Sequence, residues 1–221
     1  MAKKHSTDMV PANSDADAAS KVAVAILDFV GKVPGSDESR SRTPAEAARK
    51  AANAAAASAA TAAGTLALPP GPLGWLTILP EMTAVWKIQA QMVADIAALY
   101  GKSATLGREQ MLYCLFKHAA SQAVRDLVVR VGERMLVKRA TVASLQAVAQ
   151  RVGVKLTQRV LAKGVSRWIP LAGAVGVAAY AYYDTVQVAK AAIDIFETDI
   201  EIEPGSSPAD SRPWSSGERS R

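Results

Sequence analysis

The side chains best suited to chemistry in this sequence are few and far apart. Cys114 stands alone, His118 follows it four positions later, and the other histidine is His5. A single cysteine forms neither an intramolecular disulfide nor a cysteine metal cluster, and two such distant histidines are no metal-binding pair. Because free cysteines are usually buried and apolar, we interpret Cys114 as a core residue. We therefore expect no metal and no cofactor.

Two carboxylates, Asp95 and Asp184, lie beside apolar residues and are predicted to be partly buried. A buried carboxylate needs a partner, so we interpret both as members of structural ion pairs or caps. No two carboxylates stand out as an acid and a base. The sequence contains neither G-x-x-x-x-G-K-[ST] nor G-x-G-x-x-G, the usual phosphate-binding motifs. The sequence thus predicts a protein that is not an enzyme.

A concentration of positive charge is the most distinctive chemical feature. Residues 121–170 contain ten cations and two acids, a net charge of +8, whereas the whole chain carries +6. Five of these cations recur at every fourth position and form what we call the basic row: Arg151, Lys155, Arg159, Lys163 and Arg167. On a helix this spacing makes a slowly rotating stripe. The row either binds an anionic partner or pairs with residues 184–203, whose net charge is −5.

Two uncharged stretches accompany the basic row. Residues 168–183 follow it directly and include Trp168, Gly173 and Gly176, while residues 51–80 include Trp75 and several prolines and glycines. Sixteen uncharged residues fall short of the ~18 or more that a membrane-spanning helix requires. The two glycines leave a low helix surface that favours close packing against another helix.

Basic side chains beside apolar residues are typical of binding at a membrane surface. We therefore predict an anionic phospholipid surface, or a membrane protein complex, as the partner, with Trp75 and Trp168 as interfacial residues. Nucleic acid is not expected, because the basic stretch lacks stacking aromatics and the chain has no nucleic-acid-reading motif. The oligomeric state is not predicted.

The alanine-rich composition, with only 5% aromatic residues, favours helices over strands. We predict an all-α fold, with a single domain of about six or seven helices at 21–200, a linker at 34–42, and disordered tails at 1–20 and 201–221. Pro44, after a capping-box threonine, and Pro80 are predicted to begin helices. The predicted helices are 21–33, 44–63, 80–100, 106–137, 141–152, 154–168 and 170–196, with Gly153 between the fifth and the sixth.

Two blocks of this sequence resemble the EcsC family of bacterial proteins: LPEMTAVWKIQAQMVADIAALYGK (79–102) and KGVSRWIPLAGAVGVAAYAYYDTVQVAKAAIDIF (163–196). In that family a Leu-Pro opens a helix that ends in Tyr-Gly, and an Ile-Pro followed by Gly-Ala precedes a final helix. The matching positions are Leu79, Pro80, Tyr100, Gly101, Ile169, Pro170, Gly173 and Ala174. The resemblance, over about residues 20–198, implies a helical, membrane-associated accessory protein with no catalytic residue to carry over.

Three functional hypotheses remain open. The first is a cytoplasmic protein, without catalytic activity, that is peripheral at the inner membrane; residues 1–20 contain no apolar run typical of a secretory signal. The second is a soluble protein-interaction module whose charged faces are satisfied internally or by a protein partner. The third is an integral membrane protein with a helical hairpin at 51–80 or 168–196.

Overall fold

The computed structural model describes residues 12–66, 74–125, 127–162 and 170–203. This part of the chain is mostly helical, which confirms the predicted fold class, and it adds a small three-stranded sheet. The elements in chain order are α1 (Ala12–Val30), α2 (Pro44–Leu66), α3 (Gly74–Leu99), a short 3₁₀ helix (Ser103–Thr105), α4 (Arg108–Val124), β1 (Val128–Val131), β2 (Arg134–Lys138), α5 (Val142–Ala162), α6 (Pro170–Glu197) and β3 (Asp199–Glu203).

The long helix α6 packs against α2, α3 and α4, while α1 packs against α5. Helices α3 and α6 run in the same direction, because Gln89 contacts Asp184 while Lys102, three residues after the end of α3, donates to the carbonyl oxygen of Thr198, just after the end of α6. Helix α2 runs opposite to α6, since Gly64 near its end lies against Ala178, while Arg49 near its start lines a pocket with Lys190, farther along α6. The core between the helices contains a T-shaped contact between Trp86 and Phe116, with ring centroids 5.4 Å apart.

The predicted helix 106–137 is wrong beyond Val124. Strands β1 and β2 form an antiparallel hairpin, and Gly132 in its two-residue turn has a φ of 61°, which glycine adopts without strain. Strand β3 then pairs in parallel with β2. The valine-rich segment 128–131 favours a strand, and its core side is completed by Met135 and Val137, both buried.

Gly153 does not divide two helices as predicted; it lies inside α5. A Cβ at this position would stand 2.6 Å from the carbonyl oxygen of Ala19, so the absence of a side chain lets α1 and α5 approach closely. The glycine is retained for packing, and its cost to helix propensity is offset by that contact. Helix α1 begins at Ala12, inside the segment 1–20 for which the sequence predicts disorder.

Three other boundaries differ from the prediction. Helix α3 begins at Gly74, so Pro80 lies within the helix instead of at its start. Helix α2 continues past Gly64 to Leu66. Strand β3 extends to Glu203, into the segment 201–221 predicted to be a disordered tail. The end of α3 is as predicted: Gly101 has a φ of 72°, and the amides of Gly101 and Lys102 donate to Ala98 and Ala97, which closes the helix.

Candidate functional site

Uncharged segments of three helices lie toward one end of the bundle, which we call the uncharged end. They are the last turns of α2 up to Leu66, residues 74–80 of α3 and residues 170–183 of α6, none of which is charged. The parallel course of α3 and α6 explains this arrangement, because Trp75 precedes Gln89 by as many residues as Pro170 precedes Asp184. Fourteen helical residues correspond to about 21 Å along each axis. The first turns of both helices therefore lie at the same level.

In the first half of α6, the buried side chains among those described lie along a narrow strip of the helix. Ala174 and Ala181 are buried, and Ala178 lies against Gly64 of α2. The large apolar residues on the remaining sides are exposed by 43% to 66%: Val175, Val177, Tyr180, Tyr182 and Tyr183. A contiguous exposed apolar surface of this kind marks a protein or membrane interaction site more often than ordinary solvent-facing surface.

The structure places several residues of the predicted motifs at this end. Pro170 is the first residue of α6, as predicted, and Trp75 is the second residue of α3. Gly173 lies in α6, in the part whose side-chain surroundings are not described, and Trp168 lies outside the described residues. Gly176 is exposed, and a Cβ there would meet nothing within 4 Å. Close packing thus uses Gly64, which the sequence suggested only as a helix end.

A groove between α4 and α5 contains the described members of the basic row. It is open to solvent, has a volume of about 770 Å³ and is lined by Ala119, Ala120, Ser121, Gln122, Ala123, Arg125, Gln150, Arg151, Val154 and Lys155. Helix α4 is kinked at Ala120, where φ is −143° and ψ is 48°, and this kink shapes one wall. Arg151 and Lys155 are both exposed. Arg159 lies in α5 without a described side chain, while Lys163 and Arg167 lie outside the described residues.

Three other cations of residues 121–170 are opposite acidic residues: Arg130, Arg134 and Lys138. Asp194 of α6 accepts from Arg130 Nη2 at 2.6 Å and from Lys117 Nζ at 3.1 Å. The strand register places Arg134 opposite Asp199 and Lys138 opposite Glu203. Burial lowers the pKa of Lys117, but its hydrogen bonds to Tyr113 and Asp194 outweigh that effect and leave the pKa raised. Acidic residues of 184–203 therefore lie beside cations of the hairpin. Within the described part of the chain, Arg151 and Lys155 have no ion pair.

A polar network crosses the bundle where the charge-free half of α6 ends. His118 Nε2 of α4 lies 2.5 Å from Oδ1 of Asp184, and Gln89 Nε2 of α3 donates to Oδ2 at 2.8 Å. Gln89 Nε2 also lies 3.1 Å from Oγ1 of Thr185, whose hydroxyl donates to the carbonyl oxygen of Ala181. Gln89 and Thr185 are 1% and 0% exposed. The network joins three helices through groups that would be costly to bury alone.

The remaining candidate side chains are hydrogen-bonded or buried, which indicates structural roles. Asp95 accepts hydrogen bonds from Ser36 and Gln91, so both carboxylates singled out in the sequence have partners. Burial raises the pKa of the Cys114 thiol to about 12, which keeps it protonated and unreactive. Burial is also the main cause of the raised pKa of Tyr100, with Glu197 raising it further and Arg49 opposing.

Neither a metal cluster nor a membrane span is found in the described ranges. Among residues 12–66, 74–125, 127–162 and 170–203, no three or more His, Cys, Asp or Glu side chains are grouped so that they could hold a metal ion. In the same ranges, no helix combines the length and the apolar character needed to cross a bilayer.

Comparison with known proteins gives one match. The sequence model of the EcsC protein family matches residues 36–198, about three quarters of the chain. No curated protein and no solved structure matches this chain.

Proposed function

The chain belongs to the EcsC protein family, and from this premise we propose that it is a non-catalytic accessory protein that docks on the cytoplasmic face of the inner membrane. The uncharged end enters the interface between headgroups and acyl chains. Arg151 and Lys155, the described members of the basic row, face the anionic headgroups. The protein is peripheral in this proposal.

The observation that carries the proposal is the exposed first half of α6. Val175, Val177 and Tyr183 are each more than two fifths exposed, on a helix segment without a single charge. In water, such a surface is costly at about 25 cal/mol for each Å² of apolar area. Tyrosine is enriched at membrane interfaces, where its ring is in apolar surroundings and its hydroxyl is hydrated. A bilayer surface provides both environments for α6.

The course of α5 supports a joint role for charge and apolar surface. Ala140, two residues before this helix, is tied to the first turn of α4, since Ala140 N donates to Glu109 at 3.0 Å, and α5 then follows α4 to the groove. The next helix, α6, begins at the uncharged end only eight residues after Ala162. Juxtamembrane cations contribute about 1 kcal/mol each on an anionic leaflet, so a row beside an apolar surface strengthens binding.

Flotation with vesicles tests the proposal. We expect the protein to float with vesicles that contain phosphatidylglycerol, to float less with pure phosphatidylcholine, and to be partly released by 0.5 M salt. Alkaline carbonate should release it completely, as for a peripheral protein. Absence of flotation with both kinds of vesicle would contradict the proposal.

A second candidate is a protein-interaction module, and the pairing around Asp194 favours it. Asp194 already holds Lys117 and Arg130, so part of the basic segment is neutralised within the fold. The exposed surface of α6 would then bind a protein partner, such as a component of a membrane complex. This alternative predicts no flotation with protein-free vesicles of any composition.

A further inference from the structure

The groove between α4 and α5 is open to solvent and combines apolar, polar and cationic side chains. Its volume of about 770 Å³ is large enough to admit a small ligand, since small-molecule sites occupy roughly 300–1,000 Å³. Ala119, Ala123 and Val154 provide apolar surface, while Ser121, Gln122 and Gln150 provide hydrogen-bonding groups. None of the described residues that line it is acidic. The groove therefore favours a ligand with a negative charge and a polar group close to it.

Its cations differ from those of the neighbouring hairpin. Arg130 is held by Asp194, and Arg134 is opposite Asp199 in the strand register. Arg151 and Lys155 are one helical turn apart on the same face of α5 and have no ion pair among the described residues. These two cations form no ion pair with the acidic residues of 184–203, and they repel one another. An anion bound between them would relieve that repulsion.

We propose that this groove binds the phosphate of an anionic glycerophospholipid headgroup. Arg151 provides the planar, bidentate donors suited to phosphate oxygens, and Lys155 adds a second charge one turn away. Ser121, Gln122 and Gln150 lie where the glycerol hydroxyls of the headgroup meet the wall formed by the kink at Ala120. The inference rests on the proposed function, since it names the lipid group that the docked protein holds.

The first arm of the test measures binding to vesicles. Phosphatidylglycerol vesicles are titrated with the wild type, with the double variant Arg151→Gln/Lys155→Gln, and with the control Arg42→Gln/Lys50→Gln, which removes two exposed cations outside the groove. At about 1 kcal/mol per cation, the groove variant should bind roughly 20- to 30-fold more weakly. The control should stay within about threefold of the wild type. Circular dichroism checks that both variants fold.

The second arm distinguishes a lipid headgroup from a free phosphate. Glycerol 3-phosphate is titrated into the ¹⁵N-labelled protein, and the amide signals of Ser121, Gln122 and Gln150 are followed. We expect saturable shifts that disappear in the Arg151→Gln/Lys155→Gln variant, together with the vesicle result above. Amide shifts without any vesicle binding would assign a soluble phosphate ester and overturn both the lipid source and the proposed function.

Other outcomes contradict headgroup binding in the groove but not membrane docking. If the wild type binds vesicles but the groove variant binds as tightly, or the control loses as much affinity, the groove holds no headgroup while membrane docking stands. Absence of the amide shifts with glycerol 3-phosphate would contradict the groove in the same way.

Discussion

Gln89 Nε2 lies 2.8 Å from Oδ2 of Asp184, and this contact joins α3 to α6 at the first charged residue of α6. On one side of the contact, α6 continues without charge to its first residue, whereas α3 carries Lys87 and Glu81 before its uncharged first turns. On the other side, Asp194 of α6 accepts a hydrogen bond from Arg130 of the hairpin. The contact therefore marks the level at which α6 changes from an uncharged half to a charged half.

Loss of the Asp184 carboxylate should destabilise the fold. Asp184→Ala leaves His118 Nε2 without its partner and removes one of two acceptors from the buried Gln89 amide. We expect the free energy of unfolding to fall by about 1–3 kcal/mol. Asp28→Ala is the control, since its ion pair with Lys32 is exposed, and it should change stability by less than about 0.5 kcal/mol. Urea titration followed by circular dichroism measures both; equal effects would show that the network adds nothing.

Two glycines in helix interiors should respond in opposite directions to alanine. Gly176→Ala places its Cβ in open space and should stabilise α6 by about 0.5–1 kcal/mol. Gly153→Ala increases helix propensity by the same amount, but it forces α1 and α5 apart because the new Cβ would stand 2.6 Å from the Ala19 carbonyl oxygen. We expect a net loss of about 1–3 kcal/mol. Thermal unfolding of the two variants checks this, and a stabilised Gly153→Ala would rule out the close approach.

The Cys114 thiol should be inert in the folded protein. It is fully buried, and burial raises its pKa to about 12, so at pH 8 almost none of it is thiolate. We expect no reaction with a thiol reagent such as DTNB in native buffer and one equivalent in guanidinium chloride. Rapid labelling of the native protein at pH 8 would show that α4 opens far more readily than its packing indicates.

Most helices of the described ranges could be predicted from the sequence because their signals are local, although the prediction divided α5 in two at Gly153. Pro170 at the start of α6 and Gly101 at the end of α3 act through their own backbone conformations. The strands could not be predicted in the same way, since 128–138 carries helix-compatible residues and becomes a hairpin through pairing with β3 from the far end of the chain. The Gly132-Glu133 turn between two valine-containing runs is the one signal that could have indicated it.

The candidate site could be predicted only in part. Composition identified the basic row and the uncharged stretches. That the uncharged parts of α3 and α6 lie at the same end depends on the parallel packing of these two helices. The residues that establish this packing, Gln89 and Asp184, are 95 positions apart. Thr185 and Gln89 were not anticipated, because a polar residue beside an apolar stripe gives no sign of its partner. The exposed side of α6 was likewise unpredictable, since its small residues indicate packing all around the helix.

A negative charge on α6 should weaken membrane binding. Val175 is 66% exposed, so Val175→Glu should leave the fold intact while placing a carboxylate in the proposed interface. Val142→Glu is the matched control, because Val142 is 68% exposed on α5 outside the uncharged end. We expect at least a tenfold weaker affinity of Val175→Glu for phosphatidylglycerol vesicles and a change within threefold for Val142→Glu. Equal losses would indicate a general charge effect and no role for the uncharged end.

Environment-sensitive labels at these two positions test the docking of the uncharged end most directly. Since Cys114 is buried, the single-cysteine labelling of Val175→Cys and Val142→Cys needs no further substitution. On addition of phosphatidylglycerol vesicles, an NBD label at position 175 should shift to the blue and gain intensity as it leaves water, while a label at position 142 should be unchanged. An unchanged emission at position 175 in vesicle-bound protein, or equal shifts at both positions, would contradict the account.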